Sequence, residues 1–254
     1  MKKILSYTFL FLCLQTVSAQ NNWFTTYKDS VSLLTDATTI ADNFKKEVSK
    51  FKNDGKFTTK TIVNTTPYLI FFDGKNQVNI PLWSQVLPEL KAFTKEVAGS
   101  EDEGKRMFGL FFNGFYLIHE YGHAYQEIYD YKNSKVSYQN EHLANTIAML
   151  YWRKIGKTKE LNECYELAKK MFEKLPNPVP VGENKEDYFT KNYEQAASNP
   201  FVYAYMQFGQ FITIYEDKNL PEFDVFMKTT FKQVFIFITI YEDKNLPEFD
   251  VFMK

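Results

Sequence analysis

The sequence predicts an α+β fold, predominantly helical, with a small β-sheet near the N-terminus. Three observations predict it. From Thr58 to Trp83 the chain is rich in β-branched and aromatic residues separated by turn signals. Beyond Pro88 almost every segment repeats its apolar residues at helical spacing. Within that region, Lys105 to Tyr129 is apolar nearly all round, the pattern of a helix buried in a domain core.

Taken in order, the elements begin with a segment that stands apart. Lys2 and Lys3 are followed by an apolar run from Ile4 to Leu14, broken only by Ser6 and Thr8. Val17-Ser18-Ala19 then offers small residues where a signal peptidase cuts. Residues 1–19 therefore read as a secretory signal peptide, and the run is too short for a membrane span. A lipoprotein cysteine at Cys13 is disfavoured, because Phe11-Leu12 stand where small residues are expected. An uncleaved anchor is the other reading. Cleavage places the remaining chain outside the cytoplasm, secreted or periplasmic.

Residues 22–53 read as one or two amphipathic helices, with Phe44, Val48 and Phe51 on one face, and Gly55 ends the pattern. "TKTIV", "PYLIFF" and "QVNIPL" are three short strands, with Asp73-Gly74 as the turn between the last two. The apolar helix of 105–129 follows, then "SYQNEHLANTIAMLYWRKIG", stopped by Gly156. "TKELNECYELAKKMFEKL" is helical, capped at Thr158 or its neighbour. "PNPVPVGEN" is a surface loop, and more helix runs from about Glu186, interrupted at Asn199-Pro200.

The C-terminus repeats itself. "FITIYEDKNLPEFDVFMK" occupies 211–228 and again 237–254, identical at 18 of 18 positions. Structural repeats drift, because only the packing pattern is under constraint. Perfect identity reads instead as a recent duplication or an assembly artefact. The expected organisation is a signal peptide (1–19), one domain (20–234) and a duplicated segment (235–254).

Composition excludes several functions. Net charge is −1 with both signs interspersed, which argues against a nucleic-acid face or a basic membrane patch. After signal cleavage one cysteine remains, Cys164, so no intrachain disulfide forms. Leu161, Cys164, Ala168 and Met171 share a helical face, which makes Cys164 a packed, inert thiol. Aromatics reach 18%, with 25 Phe and 17 Tyr, enough for a compact core or an aromatic-lined cleft.

The chemistry gathers at "HEYGHAYQ", residues 119–126. The chain has three histidines, and two of them, His119 and His123, stand four apart with Glu120 between. On a helix, residues four apart share a face, so both imidazoles reach one cation. Zinc is the usual partner of such a pair, and a catalytic zinc keeps three protein ligands and one open position. Glu120 lies beside that position and is the candidate general base. The bland alternative is a pair of hydrogen-bonded core histidines, which is costly to bury for no purpose.

A third ligand is required. The metzincin pattern needs glycine at 126 and histidine at 129. The chain has Gln126 and Tyr129, and Asp130 is out of step by one residue. On the next predicted helix stands "NEHLAN", Asn140 to Asn145, with Glu141 separated from His123 by 17 residues. This arrangement resembles the gluzincins, the thermolysin-like and aminopeptidase-like zinc peptidases. The resemblance covers only residues 119–152. It implies a zincin-like domain, zinc as cofactor, and His119, His123 and Glu141 as ligands. It implies a second sphere at position 145, where this chain has Asn145 instead of the usual aspartate. It also implies an oxyanion-stabilising side chain, for which Tyr203 and Tyr205 in "NPFVYAYMQFGQF" are the candidates beside a reading as core aromatics. The sheet edge is implied to pair with extended substrate. His142 lies about 100° round the helix from Glu141 and reads as a surface or edge residue.

The expectation is thus a secreted zinc metallopeptidase acting on a peptide or protein substrate, with no nucleic-acid partner and no stable membrane span. The alternative is a non-catalytic secreted helical protein that binds a partner, holding a structural metal or none.

Overall fold

A computed structural model of the chain describes residues 23–64, 69–129 and 138–230. The signal sequence and the second copy of the repeat lie outside the described residues, as do part of "PYLIFF" and Asp130. Most of the described chain is helical, with one three-stranded sheet. No helix among the described residues is long and apolar enough to cross a membrane.

Helix α1 spans Ser30–Ser49. Asp29 starts it by accepting the Ser32 N–H at 2.8 Å. Leu33, Ala37, Ile40, Ala41, Phe44 and Val48 form its buried stripe. The helix predicted from residue 22 begins later because residues 23–29 take another course. Phe24 has a φ of 71°, a left-handed conformation that a bulky residue adopts only when its surroundings impose it.

Those surroundings also explain a second departure from the sequence reading. The helix expected across 105–129 is broken in two. α3 (Glu101–Leu110) gives way to a π-helical turn (Phe111–Phe115) before α4 (Tyr116–Ile128). Phe24 N–H donates to Asn113 O at 2.9 Å, and Trp23 Nε1–H donates to Gly114 O at 3.2 Å. Arg106 holds the Phe24 carbonyl at 3.0 Å. The kink's carbonyls are thus satisfied by the chain's own N-terminal residues, and Asn113 sits at φ −108°, ψ 29°. A side chain at Gly114 would overlap the Phe24 ring, which explains the glycine there.

The sheet comprises β1 (Lys60–Val63), β2 (Phe71–Phe72) and β3 (Gln77–Ile80) in the order β1-β3-β2. β1 runs parallel to β3, and β2 is an antiparallel edge strand. The turn expected at Asp73-Gly74 is present: Gly74 has φ 73°, and Asp73 Oδ1 accepts the N–H groups of Lys75, Asn76 and Gln77 at 2.8–2.9 Å.

α2 (Pro88–Ala98) precedes α3. α5 (Tyr138–Lys154) follows α4 and is stopped at Gly156, φ 77°. α6 (Thr158–Phe172) starts after Lys157 without a side-chain cap, so Thr158 opens the helix but does not cap it. α7 (Lys185–Lys191), α8 (Tyr193–Ser198) and α9 (Pro200–Glu216) complete the bundle. Asn199 caps α9 through the N–H groups of Phe201 and Val202. Residues 223–230 are again helical. One continuous core, rich in edge-to-face aromatic pairs such as Phe44–Tyr151, joins α1, the sheet and the helices. Cys164 lies fully inside it, and burial pushes its thiol well above the ordinary range, as an inert cysteine requires.

Candidate metal centre

α4 and α5 build the site. His119 and His123 stand one turn apart on α4, and Glu141 faces them from the first turn of α5. His119 Nε2 and His123 Nε2 are 3.1 Å apart, and Glu141 Oε2 lies 3.2 Å and 3.4 Å from them. Three tetrahedral zinc ligands, each about 2.0–2.1 Å from the ion, are themselves about 3.3–3.4 Å apart. The three atoms fit that triangle. His119 and Glu141 are buried, while the His123 side chain is 21% exposed, so the site communicates with solvent on the His123 side.

The next layer fixes what these atoms offer. His119 Nδ1–H donates to Asn145 Oδ1 at 2.8 Å, which leaves Nε2 as the lone pair pointed at Glu141 and His123. Asn145 Nδ2 donates to Gln207 Oε1 and Gln210 Oε1, both at 2.9 Å. Gln210 Nε2 in turn donates to Tyr138 O at 2.9 Å. Every end of these buried amides has a role, and α9 is thereby tied to α5.

Glu141 is held from behind. Tyr193 Oη–H donates to its Oε1 and Gln207 Nε2 to its Oε2, each at 2.6 Å. Gln207 Nε2 also reaches the Tyr203 hydroxyl at 3.0 Å, and Tyr203 is hydrogen-bonded to Tyr193. Burial works to raise the Glu141 carboxyl, but the two imidazoles outweigh it and hold the group well below the ordinary carboxylate range. That lowering comes from imidazoles that carry a proton toward Glu141. With both imidazoles neutral, the same three atoms are a donor set suited to a cation.

Glu120 brings a second carboxylate. One of its oxygens and the two histidine nitrogens all lie within 4.8 Å of one another. The Glu141 trio is the tighter of the two and fits the zinc triangle, and Glu120 stands beside it. Burial pushes the Glu120 carboxyl upward, and Glu141 adds to the push. His119, His123 and the Phe72 N–H pull the other way without cancelling it. That N–H meets Glu120 Oε2 at 2.9 Å.

Of the residues singled out from sequence, the fold brings together His119, His123, Glu141, Glu120, Asn145 and Tyr203. Tyr205 it places elsewhere: the ring stacks on Phe172 at 4.5 Å, under Lys185. Positions 203 and 205 are about 200° apart on α9, so one helix cannot aim both at the same point. His142 is half-buried and outside the cluster, and burial lowers its imidazole pKa. Sequence reasoning missed Tyr193, Gln207, Gln210 and the Phe72 amide. Gln126, which breaks the metzincin pattern, instead ties α4 to the start of α5 by donating to Asn140 O at 3.0 Å. No family model, curated protein or solved structure matches the chain.

Proposed function

We propose that this chain is a zinc-dependent hydrolase of gluzincin type, acting on peptide bonds outside the cytoplasm. The observation that carries the reading is the convergence of His119, His123 and Glu141 on one point, with Glu120 beside it. Two histidines and one carboxylate are the donor set of a catalytic zinc, whereas a structural zinc is normally closed by four protein ligands. When bound there, zinc supplies Lewis acidity and a water of lowered pKa.

The protein's own residues do the rest. Glu120 takes the proton of the attacking water at its carboxylate and delivers it to the leaving amine. Its carboxylate lies against the sheet edge, where the Phe72 N–H meets it. Tyr203 and Tyr193 form a hydroxyl chain ending on Glu141 Oε1, which holds that carboxylate in place. Asn145, Gln207 and Gln210 keep His119 in the tautomer that presents Nε2.

Elemental analysis of the purified chain should give about one zinc per chain, the stoichiometry of a single three-ligand site. His123→Ala should bring it near zero. A peptide-library screen should reveal hydrolysis that a chelator abolishes and added zinc restores. Full zinc affinity in Glu141→Ala, or iron in place of zinc, overturns the assignment.

A further inference from the structure

We propose that the backbone amide of Phe72, on the outer edge of the sheet, is the positioning group for the Glu120 carboxylate. The inference rests on the reading of Glu120 as general base.

In an antiparallel pair, successive residues alternate between exchanging hydrogen bonds with the partner strand and facing away from it. Phe71 is opposite Asn79 and Phe72 opposite Val78, and Asp73 N–H donates to Gln77 O. Position 73 is thus a bonded pair, 71 is the next bonded pair, and Phe72 lies between them. Its N–H therefore points away from β3. An outward N–H on an edge strand ordinarily goes to water or to another strand. Here it meets Glu120 Oε2 at 2.9 Å.

A glutamate side chain has three rotatable bonds, and a base acts only when its oxygen is within hydrogen-bond reach of the proton it takes. Glu120 is only 8% exposed, so solvent does little to orient it. Pinning Oε2 to a main-chain donor leaves Oε1 for proton transfer. A main-chain donor cannot swing away, and this one is backed by a turn in which Asp73 accepts three N–H groups. It is also neutral. A lysine or arginine in its place would orient the carboxylate but would repel the cation that His119, His123 and Glu141 are arranged to hold.

The first arm of the test needs no metal and no substrate. In the full chain, the Phe72 amide should exchange its hydrogen slowly, and in Glu120→Ala about 10-fold faster or more, as expected when a protecting bond is lost. Equal exchange in the two proteins overturns the proposal. The second arm removes the donor. Phe72→Pro takes away an N–H that the ladder does not use, a substitution edge strands tolerate. Phe72→Ala keeps the N–H. Both should retain zinc. On a peptide selected from the library, kcat should fall about 10- to 100-fold in the proline variant, the scale of a misplaced catalytic group, with KM unchanged and with the alanine variant near wild type. Equal kcat in the two variants also overturns the proposal. A wild-type protein inert toward the whole library defeats the peptidase reading instead, and the exchange comparison then decides alone whether this amide holds Glu120.

Discussion

Gly122 and Ala144 meet backbone to backbone where α4 crosses α5. A Cβ placed on Gly122 would lie 3.0 Å from Ala144 Cα and 3.3 Å from its Cβ. Gly122 is the residue before His123, and Ala144 is three beyond Glu141. The glycine inside "HEYGH" is what lets the two helices come close enough for Glu141 to reach His119 and His123.

Gly122→Ala should therefore act on the metal site through helix spacing. Over-packing of this kind costs about 1–3 kcal/mol. The expected outcome is a lower melting temperature together with weaker zinc affinity in a chelator competition. Adding Ala144→Gly should restore part of both, since it removes the Ala144 methyl group but leaves the main chain of α5 where it is. Undiminished zinc affinity in Gly122→Ala would show that the helices do not need this approach.

Glu120→Gln separates binding from chemistry. The amide oxygen can still accept the Phe72 N–H, so the side chain stays in place. What it loses is the ability to take a proton. Zinc should remain bound while hydrolysis falls by roughly 10²-fold or more, the scale of a general-base contribution. Near-normal turnover would refute the mechanism.

Position 145 explains itself once the neighbours are known. Asn145 accepts from His119 on one side and donates to Gln207 and Gln210 on the other. An aspartate could serve His119 but would turn a second oxygen toward two glutamine carbonyls. Turning those amides round would aim a carbonyl at Glu141. Asn145→Asp should thus destabilise the protein by about 1–3 kcal/mol, the cost of unpaired buried polar groups, and should weaken zinc binding. An unchanged denaturation midpoint in Asn145→Asp would mean the glutamines are free to rearrange.

The local part of this site is legible in the sequence and the long-range part is not. His119, Glu120 and His123 are set by helical periodicity alone, and Glu141 falls on the next helix at a spacing the resemblance supplies. Tyr193 lies 52 residues from Glu141, in a stretch that no pattern distinguishes. It is one of several tyrosines downstream of His142, and only the packing of α8 and α9 singles it out. The Phe72 amide carries no side-chain signature at all. The break at 111–115 is partly signalled by Asn113-Gly114, yet its cause, the docking of Trp23 and Phe24, comes from a segment some ninety residues away.

Asp73 makes the hairpin sensitive to acid. Burial works to raise its carboxyl, but three backbone N–H bonds outweigh that and hold it below the ordinary value. A depressed folded-state pKa contributes stability above the unfolded value of about 3.9, and that contribution is lost as pH falls through the folded value. Asp73→Asn should be less stable than wild type at neutral pH, and the two urea midpoints should converge as pH drops below about 4. The Phe72 amide should exchange faster in the variant. Parallel pH curves for the two proteins would remove Asp73 from the account.

The duplicated C-terminal segment should be dispensable. The first copy already fills its place: Phe211, Ile214, Phe223 and Met227 are buried, and Phe223 lies edge-on to Phe44 and Tyr151. Residues of α9 ahead of that copy, Tyr203, Gln207 and Gln210, belong to the hydrogen-bond network around Glu141 and Asn145. An identical second copy cannot use the same core position without displacing the first. In register with the first copy, it would bring Thr229 and Ile236 to the places of Tyr203 and Gln210, and Phe235 to that of Gly209. A Cβ at Gly209 already lies 3.1 Å from the Phe172 ring, so a phenylalanine does not fit. Exchange of the two copies is therefore disfavoured by both the site and the packing. A chain shortened to end at Val234 should fold, bind zinc with unchanged affinity and be at least as soluble, since an apolar segment without a fitted core site promotes self-association. Unfolding or loss of zinc in the shortened chain would show that the second copy is part of the structure.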